Sequence, residues 1–185
     1  KPVGKGDRAI LLIEKISGQE LATMSLEQVF PIHRLGRKSE SESSFALHKY
    51  RPEDEVGQAD YPHRHNFNQV IFLTAGTGSH VVDFHALPII PPTLFFVSAA
   101  QVHFWQVEAP LSGYSLHFTP ELFASSPGHG TGLDILALFH SLSYTPLQLN
   151  REQSTFVQQL IEMAAHEFES YDDDSVMNSY LHILF

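Results

Sequence analysis

Between Phe45 and Phe118 apolar and polar positions alternate in short runs, each closed by glycine, proline or a polar cluster. FALHKY (45–50), FNQVIFLT (67–74), HVVDF (80–84), TLFFVS (93–98), QVHFWQV (101–107) and YSLHF (114–118) carry the β-branched and aromatic residues that suit a pleated surface. Such short runs at close spacing predict an all-β sandwich or barrel rather than a parallel α/β sheet. TAGTGSH reads as a tight hairpin, with Gly76 and Gly78 free to take positive φ. LPIIPP (87–92) and EAPLSG (108–113) read as bends.

At Thr119 the period changes from 2 to 3.6. TPELF reads as a capped helical turn, with Thr119 as N-cap and Pro120 at the first helical position. After the Gly-rich break SPGHGTG, residues 133–142 (LDILALFHSL) have helical spacing. Asn150 is predicted to cap a longer helix in which Phe156, Leu160, Ala164 and Phe168 form a stripe beside Ile161. Asp172 to Asp174 break and recap the chain, and VMNSYLHILF opens a last helix. The stripe is either core against the β region or a dimer seam. The last helix favours a seam, since it would otherwise leave Tyr180, Leu181 and Leu184 exposed.

Before Phe45 the pattern is weaker. Val29 to Leu35 reads as a short extended piece around Pro31, and GRKSESESS (36–44) as a loop. Met24 reads as a start, so residues 1–23 are expected to be an upstream extension and 24–44 an N-terminal arm. The last helix reaches Phe185 without Gly, Pro or a basic last turn, so further chain is expected beyond it.

Composition narrows the function classes. With 185 residues, 43% hydrophobic and 17% charged, the chain suits one globular domain with a helical appendage. The absence of cysteine excludes disulfides and thiolate metal sites, and fits a cytoplasmic protein. A membrane span needs roughly 18 apolar residues, whereas AILLI (9–13) runs straight into Glu14 and Lys15. The net charge of −10, with 11 scattered Lys and Arg, gives these residues no means of holding DNA themselves.

The 12 histidines carry the candidate chemistry. If Tyr61 to Leu73 is largely extended, His63, His65, Phe67, Gln69, Ile71 and Leu73 share one face. Imidazoles two residues apart on a strand can meet a common centre, and His103 with Trp105 lies on a later strand. One reading makes His63, His65 and His103 neutral ligands for a divalent metal such as zinc. The other makes them polar groups that hydrogen-bond an effector or a neighbouring loop. Gln69 speaks for the second, since an amide is a weak ligand and no general base. Phe67, Ile71, Phe84, Phe96 and Trp105 are candidate walls of an effector pocket, each equally readable as barrel core. Trp105 is the strongest of them, an apolar ring with one donor beside His103.

Gly57, five residues, His63-Arg64-His65, three residues, Gln69, six residues, Gly76 resembles the first cupin motif, with Gln69 in place of the usual glutamate. The second cupin motif is matched mainly by His103: Pro92, Ser98, Ala100 and Val107 stand where it has glycine, proline, glycine and asparagine. PHRHNFNQVIFLTAGTGSHVVDF, LPIIPPTLFFVSAAQVHFW and SGYSLHFTPELF together resemble the AraC-type sensor domain of bacterial transcription regulators. That resemblance implies a mainly β fold: a cupin barrel (double-stranded β-helix, jelly-roll-like) at 45–123, then two or three C-terminal helices in a dimerisation region at 124–185. It further implies a small-molecule effector bound around His63, His65, Phe67, Gln69, Ile71, His103 and Trp105. The protein would be a homodimer through its C-terminal helices, touching DNA only through a helix-turn-helix domain beyond 185, with no catalytic residues and no membrane contact. A metal-dependent cupin enzyme, of dioxygenase or isomerase type, is the rival reading.

Overall fold

The computed structural model describes residues 30–35, 44–53, 60–123, 137, 139, 141–171 and 174–184. Its strands are β1 (Ile32–His33), β2 (Phe45–Tyr50), β3 (Arg64–His65), β4 (Asn68–Val82), β5 (His85–Pro88), β6 (Thr93–Val97), β7 (His103–Phe118) and β8 (Leu147–Gln148). The helices are α1 (Arg151–Tyr171) and α2 (Asp174–Leu184), with a 3-10 turn at Pro120–Phe123. The fold is mainly β: one antiparallel sheet ordered β2-β7-β4-β6-β8, with β5 paired to β4, followed by two helices. This is the architecture expected of a cupin-like barrel with C-terminal helices. Beside it β1 and β3 pair in parallel, anchored to the large sheet where His63 and His103 exchange backbone hydrogen bonds of 3.1 and 2.8 Å.

Two long strands close the barrel. β7 has 16 residues, and 14 residues of straight strand would separate the rings of His103 and His117 by about 46 Å. Yet both rings lie against His65, at centroid distances of 4.7 and 6.3 Å. The strand therefore curls until its two ends look into one interior. Glycine supplies the bends. At Gly113, φ is +146°, and a Cβ there would sit 1.9 Å from the Phe72 carbonyl oxygen. At Gly78, φ is +133°, and a Cβ would meet the Gln106 carbonyl oxygen at 2.1 Å.

The expected hairpin at TAGTGSH is therefore a correction. That segment runs inside the 15-residue β4, whose register against β7 slips between Leu73 and Gly78. The real hairpin comes next. Val82 pairs with His85, and Asp83 and Phe84 between them both take positive φ, 43° and 70°. Two such residues make a type I′ turn, which matches strand twist but favours Asn or Gly. Here the Asp83 carboxylate holds the turn, accepting from Val102 N, Gln101 Nε2 and Tyr144 Oη at 3.0, 2.8 and 2.9 Å. The sequence reading missed β5 because no Gly or Asn marks this turn.

Strands β2, β4, β6 and β7 each serve two cores. Ile71, Leu73, Val82, Leu87, Phe95, Val97, Trp105 and Leu111 point into the barrel. Phe45, Val70, Phe72, Leu94, Phe96, Leu116 and Phe118 point outward and are covered by Val157, Ile161, Ala164 and Phe168 of α1 and Met177 and Leu181 of α2. Burial on both faces explains why VIFL and LFFV read as unbroken apolar runs.

Asn150 caps α1: its Oδ1 accepts from Gln153 N, and Gln153 Oε1 accepts from Asn150 N, both at 2.9 Å. The α1 stripe is core rather than seam, with Leu160, Ala164 and Phe168 buried and only Phe156 exposed. Likewise Leu181 is buried, and Tyr180 and Leu184 are partly covered against the same core. α2 therefore needs no seam to cover those residues. Of the expected helix at 133–142, Ala137, Phe139, Ser141 and Leu142 are helical; 133–136, 138 and 140 lie outside the described residues, as do 1–23 and Asp172. Among the described residues no helix is long and apolar enough to cross a membrane.

Candidate functional site

Histidines from two strand segments meet at one end of the interior. β3 supplies His65 with His63 just before it, and the His63–His103 bridge brings in the first residue of β7. The three ring centroids stand 4.3 Å (His63–His103), 4.7 Å (His65–His103) and 4.9 Å (His63–His65) apart. One ring nitrogen from each falls in a group whose members all lie within 4.8 Å of one another. All three residues are buried.

Gln69 does not join them. Its Nε2 donates to Ser115 Oγ at 2.7 Å and lies 3.0 Å from His117 Nε2, while Ser115 Oγ and His117 Nε2 are 2.8 Å apart. Phe67 lies between the two histidine groups, stacked on His65 (4.3 Å, 25°) and on His117 (4.8 Å, 23°). Ile71 and Trp105 belong to the apolar part of the interior. Two proposed walls fail: Phe96 faces the helices, and Phe84 is 81% exposed at the tip of its turn.

Two members of the site were missed from the sequence. His80, wholly buried on β4, places Nε2 2.9 Å from His103 Nδ1 and stacks on Trp105 (3.9 Å, 16°). His117 on β7 anchors the Gln69–Ser115 group. Its signal was present in YSLHF, where Ser115 and His117 alternate with Tyr114, Leu116 and Phe118. His33 on β1 also approaches, its ring 4.9 Å from His63 and 5.8 Å from His65.

Burial keeps these imidazoles neutral. It is the main cause holding His65 down to about 2, His80 to about 3 and His117 to about 4, with neighbouring histidines adding repulsion. His103 lies well below the ordinary value and His63 is lowered, both chiefly by burial. The same cause pushes the Tyr50 hydroxyl up to about 12. Among the described residues no carboxylate is hydrogen-bonded to His63, His65, His80, His103 or His117. Their partners are a backbone carbonyl, an amide, a hydroxyl and one another.

Several interior groups lack a partner within the protein. Among the described residues, the buried side-chain atoms without one are His48 Nε2, His65 Nδ1, Asn68 Nδ2, Gln69 Oε1, His80 Nδ1 and His103 Nε2. Each such atom costs about 1–3 kcal/mol against a satisfied one. Their concentration around one cluster marks a place built to meet something polar. A separate surface recess of about 310 Å³ lies by α1, lined by Lys49, Arg51, Tyr114, Gln158 and Glu162 among others, away from the histidines.

A curled β domain whose interior combines aromatic walls with neutral, partly unpartnered polar groups is a ligand-binding barrel. The family model for the AraC-like ligand binding domain matches residues 47–176, and the chain belongs to that family. No curated protein matches it.

Proposed function

We propose that this chain is the sensor part of an AraC-family bacterial transcription regulator, binding a small-molecule effector inside the barrel and acting in the cytoplasm. The observation that carries this reading is the coincidence of the ligand-binding family match with buried, unpartnered donors and acceptors among Phe67, Ile71 and Trp105. The effector would satisfy groups such as Gln69 Oε1 and His80 Nδ1, so it carries hydroxyl, amide or carboxylate groups on a compact body. Sugars and aromatic acids both fit. Binding would bias a homodimer, and through it a helix-turn-helix domain joined beyond the present chain. The −10 charge of the chain is consistent with leaving DNA to that other domain.

The rival reading, a metal-dependent cupin enzyme, draws on the convergence of three histidines. Against it stands the chemistry of the site: a histidine without an orienting acid is a poor general base, and among the described residues no carboxylate partners these rings. The test is a thermal-shift screen of purified chain against monosaccharides, aromatic acids and small carboxylates, with hits followed by NMR. A ligand at 100 times its Kd adds about 2.7 kcal/mol, or about 5–10 °C in Tm for a domain of this size. The shift should vanish in Gln69→Leu while the compound stays chemically unchanged. Turnover of the compound would establish the enzyme; a shift untouched by interior substitutions would place binding elsewhere.

A further inference from the structure

We propose that His63, His65 and His103 hold one divalent transition-metal ion, with His80 as the positioning residue that fixes the ring of the third ligand. The inference stands on this cluster's geometry and is independent of any role in transcription. A tetrahedral ion with metal–nitrogen bonds of about 2.0–2.1 Å sets its nitrogens about 3.4 Å apart and its imidazole centres about 5 Å apart. The centres here are already 4.3, 4.7 and 4.9 Å apart, and the candidate nitrogens all lie within 4.8 Å. Closing on an ion therefore needs movements of little more than an ångström at the ring tips.

The remaining nitrogens are arranged as an outer shell arranges metal ligands. His63 Nδ1 lies 3.0 Å from the Tyr61 carbonyl, so it carries the proton and leaves Nε2 with a lone pair. His103 Nδ1 lies 2.9 Å from His80 Nε2, and His103 Nε2 is buried with no protein partner. If His103 Nδ1–H donates to His80, then His103 Nε2 keeps a free lone pair, and the proton of His80 sits on its own unpartnered Nδ1. In the opposite tautomer the unsatisfied buried N–H falls on His103 Nε2 instead of on His80 Nδ1, so an ion bound at the cluster would select the first arrangement. His80 is itself held flat, stacked on Trp105 at 3.9 Å and edge-on to Phe95 at 5.3 Å. His65 Nδ1 is a second buried ring nitrogen of the three without a protein partner.

The donor set also selects the ion. Three neutral imidazoles with no carboxylate suit zinc, cobalt, nickel or copper and offer little to magnesium or calcium. Gln69 is tied to Ser115 and His117 and leaves the ion an open position. Such an ion keeps its full positive charge, so the ligand completing it is an anion or water.

The test uses untagged chain stripped with EDTA and titrated with zinc or cobalt chloride. The expected result is one equivalent bound, intense visible d–d bands from low-coordinate cobalt, and an X-ray absorption spectrum of the zinc form fitted by three imidazole nitrogens. His63→Gln and His65→Gln should each weaken binding by at least about 100-fold, and His80→Phe by about 10–100-fold with the stoichiometry unchanged. His166→Gln, on the exposed side of α1, should change nothing. Failure of the wild-type chain to bind either ion, a spectrum lacking imidazole nitrogens, or binding that survives both His63→Gln and His65→Gln would overturn the site. Wild-type affinity in a folded His80→Phe protein would overturn the positioning role. The wild-type titration and spectra decide the matter even if a buried variant fails to fold.

Discussion

Lowering the pH from 7.5 to 5.5 should strip several kcal/mol from this fold, because its interior holds histidines that resist protonation. In an unfolded chain imidazole takes up its proton near 6.5. In the folded chain burial delays that step to about 4 for His117, about 3 for His80 and about 2 for His65. From pH 6.5 down to about 4 the unfolded state therefore binds protons that the folded state refuses, and stability falls as pH falls. For one such group the loss at pH 5.5 is RT ln(1 + 10), between about 1 and 2 kcal/mol, against almost nothing at pH 7.5. Three groups together lose about 4 kcal/mol, a large share of the roughly 5–15 kcal/mol that holds a typical domain together. His103 shifts in the same direction and adds to the loss.

Urea unfolding measures this directly in EDTA-treated protein. The chain has a single tryptophan, Trp105, buried against His80, so its emission reports the transition. At slopes of about 1–3 kcal/mol per molar, the midpoint should drop by more than about 1 M between the two pH values. His117→Leu should recover about a third of that drop, since it removes one of the three groups. A midpoint that moves by less than about 0.3 M would refute the reasoning. It would mean that these imidazoles titrate near their ordinary value and that the interior is wet.

Three further outcomes follow from the packing. Gly113→Ala places a methyl 1.9 Å from the Phe72 carbonyl oxygen at a φ of +146°, so it should cost at least about 3 kcal/mol, read as a Tm drop of about 6–12 °C. Asn150→Ala breaks the α1 capping box and should cost about 1 kcal/mol by the same assay, with Asn150→Asp close to neutral. Phe156, the exposed member of the α1 stripe, and Met163, 53% and 57% exposed, are the residues a dimer seam would use. Sedimentation should show a dimer that Phe156→Glu with Met163→Glu makes monomeric, and a wild-type monomer at high concentration would exclude the seam.

Local alternation was legible wherever the chain has one periodicity. It placed β2, β6 and the ends of β4 and β7, and the Asn150 cap was readable because its partner lies three residues away. Turns were harder. Gly76, Gly78 and Gly113 signal positive φ, but glycine serves a bend within a strand as readily as a turn between two. Only the pairing of β4 with β7 shows that these glycines allow close approach of backbones. The reverse error fell at Asp83-Phe84, where a real turn carries no glycine and is held by long-range bonds to the Asp83 carboxylate.

His80 shows why half of the site was hidden. Counting by twos along β4 from Gln69, Ile71 and Leu73 puts every odd residue inside, so even-numbered His80 belongs outside. In the structure Gln69 pairs with His117 and His80 with Trp105. Those partners are 12 apart on β7 (117 − 105), while the residues themselves are 11 apart on β4 (80 − 69). The register slips thus leave a one-residue offset, and a one-residue offset turns a strand's faces over. Beyond the slip His80 and Val82 face inward and reach Trp105 and His103. His63 and His65 could be found because local parity along one extended segment suffices, and His103 because it stands at the histidine of the second cupin motif. His80, the contact that orients His103, could be found only by knowing where the register of β4 against β7 slips.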